Sequence, residues 1–378
     1  MPLRDSLSNT WDHIQAVLFP WLAEELGPLT ETHKQVITVL EMACVEAFVQ
    51  TWSGLPGRPL KDRHALARAF VAKAVLGLPQ TNMLIERLAV DKQLRQLCGW
   101  QRAGHVPSES TFSRAFGEFA RSELPSRVHE ALIKRTHKER LVGHISRDAT
   151  AIEAREKPVK IEASEAPKRK RGRPKKGEVV EKREPRRLER QANMSLAEML
   201  SDLPKHCTVG TKRNAKGHTT SWIGYKLHLD VADGDIPVTG LLTSASLHDS
   251  QAAIPVATMT AGRVINLYDL MDSAYDALEI SAKSRALGHV PIIDRHPRNV
   301  AGGKAEIKAE ARGRKCAGYE LAEDVRYNER TSAERVNARL KDEFGGRNVR
   351  VRGHAKVLCH LMFGILALTV DQLMRLII

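Results

Sequence analysis

The period of the apolar residues changes once along this chain, near Leu141, and that change restricts the folds open to it. Before it, apolar positions recur at close to 3.6 residues in "HKQVITVLEMACVEAFVQTW", "DRHALARAFVAKAVLG" and "NMLIERLAVDKQLRQLCGW", which predicts a run of amphipathic helices over residues 1–140. Thr30 or Thr32 is placed to cap the first of them. After the turn "RAGHVP", Ser108 is placed to cap "ESTFSRAFGEFARSEL", a helix that carries Phe112, Phe116 and Phe119 on one face. Those rings are expected in a core and not stacked on bases. A helix, a Gly-containing turn and a second capped helix can form a DNA-binding helix-turn-helix, although helical hairpins also arise from packing alone.

Beyond Leu141 the pattern is β. "LVGHISRDATAIEAR" contains a strand with Asp148 inside it, and "WIGYKLHLDVADGDIPVTGLLTSAS" reads as two strands joined by a tight turn at Asp233-Gly234. A helix from near Asp249, a strand "RVINLYDLMD", a helix after Tyr275, a strand "HVPIID" and closing helices from near Tyr327 and His354 follow. Antiparallel strands first and strand-helix alternation afterwards predict a mixed α/β domain over residues 141–378, behind a helical N-terminal domain for DNA binding or dimerisation. With 378 residues the chain is long enough for both. Residues 156–220 interrupt the α/β pattern with a basic, Pro-containing insertion whose composition suits a disordered or partly helical segment.

Charge narrows the partner. The net charge is +14, and between Lys168 and Arg190 twelve Lys or Arg face four Glu, a balance of +8, so more than half of the excess sits on one short segment. A polyanion is the expected partner, nucleic acid ahead of an anionic membrane, since the basic segment lacks an apolar face to insert. Within it, Arg171-Gly172-Arg173-Pro174 resembles an AT-hook, whose Arg-Gly-Arg can lie in a narrow A·T-rich minor groove; the plainer reading is a solvated linker that touches phosphates. The last helix has an uncharged run of about 14 residues, Val357 to Val370, short of the roughly 20 that span a bilayer, so burial in a core is expected. Five scattered cysteines without a C-x-x-C pair, and a His206, Cys207 and His218 spacing that fits no zinc pattern, point to reduced thiols and a cytoplasmic, nucleoid-associated protein.

Candidate chemistry rests on carboxylates. In "YNERTSAERVNARLKDEF", Tyr327, Arg330, Glu334 and Lys341 fall within a helical sector roughly 60° wide, apart from the apolar Ala333, Val336, Leu340 and Phe344. Asp148 lies in a strand, and Asp272 closes another at its carboxyl end, a favoured place for α/β active sites. Each acid alone has an ordinary role: an edge residue, a helix cap, a surface Glu paired with Arg330 or Lys341. Two strand acids and one helix acid together can form an oxygen cage for Mg²⁺ or Mn²⁺, as phosphoryl transfer requires. Lys341 can then hold a DNA phosphate, Arg330 orient Glu334 or bind the strand, and Tyr327 stack on a base or sugar.

The spacing Y-x2-R-x3-E-x6-K at Tyr327, Arg330, Glu334 and Lys341 resembles the signature of bacterial insertion-sequence transposases of the DDE class. "DATAI" around Asp148, "GYKLHL", "SLHDS" and "DSAYD" around Asp272 are similar to that group's landmarks in order, and "VPSESTFSR" to its N-terminal domain. The resemblance implies an RNase H-like catalytic fold, Asp148, Asp272 and Glu334 as catalytic acids and metal ligands, and cut-and-paste movement of a DNA element. Terminal inverted repeats and target DNA are the implied partners, bound by a homodimer or larger homo-oligomer. Asp249, Asp269, Asp276 and Asp294 stand outside the triad, Asp272 being preferred on the "DSAYD" match. A catalytically inactive DNA-binding relative and a metal-dependent nuclease are the alternatives.

Overall fold

A computed structural model of the chain describes residues 3–50, 61–137, 140–159, 184–213, 217–296 and 299–377. Its first part is helical: α1 (Leu3–His13), α2 (Phe19–Leu26), α3 (Glu31–Ala43), α4 (Arg63–Val75), α5 (Thr81–Val90), α6 (Lys92–Cys98), α7 (Glu109–Arg121) and α8 (Leu124–His137). Of the two threonines it is Thr30 that caps α3, accepting from the backbone N–H of His33 at 3.2 Å. That helix stops short of the expected length. Arg135 of α8 takes the Met42 carbonyl, and Cys44 turns left-handed at φ 49°. Asp91 divides the next apolar pattern into α5 and α6 by capping the second at Leu94 N. Ser108 holds the N-cap position of α7, but its hydroxyl bonds those of Ser110 and Thr111 in place of a backbone N–H. Phe112, Phe116 and Phe119 surround Phe70 of α4 with ring centroids 5.0–6.1 Å away, so they are core.

The rest is built on one six-stranded sheet: β1 (Leu141–Glu153), β2 (Thr208–Arg213), β3 (Thr219–Ala232), β4 (Ile236–Ser244), β5 (Ile265–Met271) and β6 (Val290–Ile293). β1, β3 and β4 pair antiparallel; β5 joins the far edge of β1 in parallel, and β6 joins β5 in parallel. The core order β4-β3-β1-β5-β6 is the RNase H-like arrangement, three antiparallel strands followed by two parallel ones. The β3–β4 turn falls at Asp233-Gly234 as expected, with Gly234 at φ 75° and Asp235 at φ 60°. Residues 208–213 correct the reading of 156–220 as a plain insertion, because they form β2 and pair with residues 219–224. α9 (Arg187–Gln191) and α10 (Leu196–Asp202) precede that strand and rest on α11 (Ser250–Ala261).

Alternation along β1 sends Arg147 and Asp148 to opposite faces. On the Arg147 face lie α11 and α12 (Leu278–Ala286). The Arg147 guanidinium makes two bonds to Asp230 on β3, at 2.8 and 2.7 Å, and Thr260 of α11 donates to the same carboxylate at 2.6 Å. Burial works against the Arg147 charge, but Asp230 and Asp269 more than offset that and raise its pKa. Asp269 is itself held by Asn266, by Ser284 of α12 and by His289.

Over the other face lie α15 (Thr331–Asp342) and α16 (His354–Arg375), after α13 (Gly303–Cys316) and α14 (Ala322–Tyr327). α16 is the one described helix long and apolar enough to cross a membrane, and it is a core element: Leu361, Ile365, Leu366 and Leu368 are fully buried. It sits between β4 and helices α3, α4, α7 and α8, with Phe363 stacked on Phe70 at 5.9 Å. His129 of α8 ties the layers together, lying 3.1 Å from both the Pro237 carbonyl and the Thr369 hydroxyl.

Breaking the buried ion pair has a defined cost. Arg147→Met, which strands the Asp230 carboxylate, is expected to destabilise the fold by about 3–5 kcal/mol, and the double variant R147M/D230L by clearly less. Urea unfolding of the three proteins checks this; a double variant no more stable than R147M would refute it.

Candidate active site

β1 and β5 run parallel with Arg147 opposite Met271, so one step further along both strands Asp148 stands opposite Asp272. Neighbouring strands are about 4.8 Å apart, which brings the two acids abreast at the carboxyl ends of the pair. Asp272 also caps the short turn Ser273–Tyr275, accepting from Ala274 N at 2.9 Å; its ordinary role and its place beside Asp148 coexist. The pair is crowded. Burial and then the Asp272 carboxylate push the Asp148 pKa up to about 6 against the pull of the Ala149 N–H, and burial with Asp249 raises that of Asp272.

α15 lies across these acids. Its apolar side, Ala333, Val336 and Leu340, is buried together with Phe344, as the sequence pattern requires. The polar stripe is built differently from one continuous helix: α14 ends at Tyr327, residues Asn328–Arg330 form a tighter 3₁₀ turn, and α15 begins at Thr331. Across that junction Arg330 lies 5.6 Å from the Tyr327 ring centre and donates to Glu334 at 2.7 Å. Its charge also reaches Asp148 and Asp272, lowering the pKa of both, so a single guanidinium stands among three carboxylates. Burial pushes the Tyr327 hydroxyl up to about 12. The half-buried Lys341 has its pKa lowered by burial and by the cations Arg347 and Lys212.

The structure brings Asp148 and Asp272 together and turns Glu334 toward Arg330. Among the described residues no three His, Cys, Asp or Glu side chains converge as a metal cluster, so the expected three-acid cage is not assembled in this arrangement. The physical reason is electrostatic: Glu334 is 55% exposed and neutralised by Arg330, whereas closing on the two aspartates would add a third like charge to a half-buried pair. Two orphaned polar groups stand beside that pair. Asn337 donates to Asp148 Oδ2 at 3.2 Å, and its buried Oδ1 has no hydrogen-bond partner among the described residues. The Tyr275 hydroxyl is likewise buried and unpartnered, in the field of Asp148 and Asp272. Oxygen donors gathered around a repelling carboxylate pair suit a hard divalent cation such as Mg²⁺.

The decoy acids have structural work. Asp249 pairs with Lys226 at 2.8 Å, and Lys226 also donates to the Leu247 carbonyl at 2.6 Å, so "GYKLHL" and "SLHDS" meet at one lysine. Asp276 accepts from His296 N and Asn299, and Asp269 belongs to the buried face under Arg147. Arg171, Gly172 and Arg173 lie outside the described residues. Sequence reasoning missed Asn337, though an Asn amid the apolar positions of α15 is a readable signal. It also missed Lys212 at the end of β2, whose charge lowers the pKa of both aspartates.

A family model described as "Transposase DDE domain" matches residues 145–370, which span β1, β5 and α15 with all three acids. The chain belongs to the DDE transposase family. A second model, described as "Transposase domain", matches residues 23–118 of this transposase, within its N-terminal helices. No curated protein and no solved structure gives a match.

The crowding at Asp148 has a measurable consequence. A carboxylate raised from 3.8 to about 6 weakens the folded state as pH rises through that window, by up to about 3 kcal/mol above pH 6. Asp148→Asn is therefore expected to raise the melting temperature at pH 8 in chelator, with the gain fading between pH 6 and pH 4. Thermal melts across that range read it; a pH-independent difference contradicts the assignment.

Proposed function

We propose that the transposase catalyses cut-and-paste movement of an insertion sequence by metal-dependent cleavage at its terminal inverted repeats and joining of the 3′ ends to target DNA. The observation that carries this reading is that Asp148 and Asp272 stand abreast where the parallel pairing of β1 and β5 ends, with Glu334 and Asn337 one helical turn apart on the helix laid across them. Asp148, Asp272 and Glu334 are the residues that would hold Mg²⁺ or Mn²⁺, which supplies Lewis-acid activation of water or a 3′-hydroxyl when bound.

The chain's own groups do the rest. Burial and the neighbouring Asp272 carboxylate raise the Asp148 pKa to about 6, so the pair resists carrying two charges until a cation offsets them. Arg330 holds Glu334 in the free protein, and a DNA phosphate, as a competing anion, can draw the guanidinium away and release the carboxylate. Lys341, next to Asp148 in electrostatic reach, is placed to take a phosphate near the cleaved bond, and Tyr327 to stack on a base or sugar. One site must serve several strands, so a homodimer or larger assembly on DNA in the cytoplasm follows from the same reading. The helical N-terminal region is assigned to DNA binding or dimerisation, residues 141–378 to catalysis, and the Arg171-Gly172-Arg173 segment to general DNA contact.

Asp148→Asn, Asp272→Asn and Glu334→Gln are each expected to cut cleavage and joining by about a thousandfold or more while DNA affinity stays within a few fold. Purified protein, a labelled element end, a target plasmid and Mg²⁺ provide the assay, and sequencing the junctions separates joining from cutting alone. Strand transfer retained by any of the three variants would sink the reading; cut ends without joined products would make the protein a nuclease.

A further inference from the structure

A polar cleft of about 500 Å³ opens where the N-terminal helices meet the end of β1 and the start of α16. Five cations line it, Lys73, Arg155, Arg350, Arg352 and Lys356, against one acid, Glu109. They come from α4, the exit of β1, the loop before α16 and α16 itself, so the concentration of charge depends on the tertiary fold. The cleft is held rigid. Arg352 donates to the Arg155 carbonyl at 3.0 Å, Gly353 N donates to Glu156, and Tyr225 fixes Glu156 through its hydroxyl at 2.5 Å. Lys73 is 8% exposed, and burial brings its pKa down to about 8, a cation kept out of water beside others of its sign. Lys73 donates to the Pro79 carbonyl at 3.4 Å, while Arg155, Arg350, Arg352 and Lys356 are exposed, so their charge is open to a polyanion.

Position adds a second observation. Arg155 of the cleft follows the same strand as Asp148: from Asp148 to Arg155 is seven residues of nearly continuous extended chain, on the order of 20 Å at about 3.3 Å per residue. Lys341 is within electrostatic reach of Asp148, Lys212 and Arg347, the last paired with Asp342 at 2.5 Å and three residues before the Arg350 that lines the cleft. At about 3.4 Å per base pair that separation equals roughly six base pairs of duplex.

We propose that this cleft is a second DNA contact, holding backbone phosphates of the element end about six base pairs inboard of the strand terminus that lies at Asp148, Asp272 and Glu334. The assignment rests on the proposed function for where the terminus lies. It gives the transposase a fixed clamp at the junction of its two regions, so that the reacting end is positioned from two points on one rigid strand.

The test uses the full chain, the variant R155A/R350A/K356A, whose altered side chains are exposed, and 30-base-pair duplexes carrying the ends that flank the coding sequence. Some duplexes carry neutral methylphosphonate linkages at the fifth to eighth positions. Binding is followed by fluorescence anisotropy over a salt series in Ca²⁺, and cleavage of the unmodified duplex in Mg²⁺. The neutral linkages are expected to weaken binding of the wild-type protein about tenfold and to leave the variant unaffected. The variant's dependence of log K on log salt should be shallower by about two to three, at about 0.9 per phosphate lost. An unchanged slope, or equal sensitivity of both proteins to the neutral linkages, overturns the inference. If the wild type cleaves the ends yet ignores the linkages, the clamp alone fails; if it neither binds nor cleaves them, the proposed function fails with it. Inorganic phosphate at millimolar concentration shielding Lys73 from acetylation, without any linkage effect, marks a small-anion site and also overturns it.

Discussion

The Arg147 guanidinium is the point about which the catalytic region is organised. It is 2% exposed and lies between the carboxylate of Asp230, on the antiparallel neighbour of β1, and Asp269, on the parallel one. A charge at that depth tolerates little displacement, because slipping a strand by one residue would send its partner to the other face. Register therefore follows from this contact in both directions across the sheet. Asp148 and Asp272 then stand abreast on the opposite face, since each follows a residue committed to the buried side. Thr260 and Ser284 extend the same network to α11 and α12, which fixes the helices below the sheet as well.

Above the sheet the energetics are of the reverse kind. The two aspartates repel each other and lose solvent, and the cation that eases them, Arg330, also holds Glu334 away from them. Stability and reactivity meet here through one guanidinium. The aspartate pair is left crowded, and Glu334 stands apart from it on an exposed ion pair. The N-terminal helices contribute by holding α16 on the sheet through Phe70, Phe363 and His129, which in turn supports the loop at Arg350 to Gly353.

Several elements were readable because their cause is local. The apolar periods of α4, α7 and α16, a threonine cap at Thr30 or Thr32, the turn at Asp233-Gly234 and the succession of strands and helices along the chain after Leu141 all follow from side chains close in sequence. β2 was not readable: "TVGTKR" is polar, leaves Val209 exposed, and exists because it pairs with β3 and seats Trp222 over Gly210, where a Cβ would come within 2.4 Å of the ring. The early stop of α3 is similar, since the side chain that claims the Met42 carbonyl lies on α8. In the site, the stripe of Tyr327, Arg330, Glu334 and Lys341 was visible as spacing, whereas the 3₁₀ turn that breaks its helix was not.

The sequence by itself determined the division into a helical part and an α/β part, the excess of positive charge, and which acids and cations stand at signature spacings. Those properties are carried by composition and by periods of two and 3.6 residues, which need no long-range contact. Only the tertiary structure decided that Asp148 and Asp272 stand on neighbouring strands, that Asn337 reaches Asp148, and that cations from α4, the exit of β1 and the start of α16 line one cleft. Each of these joins residues far apart along the chain, and their meeting is set by strand register and helix packing, which depend on the whole buried core.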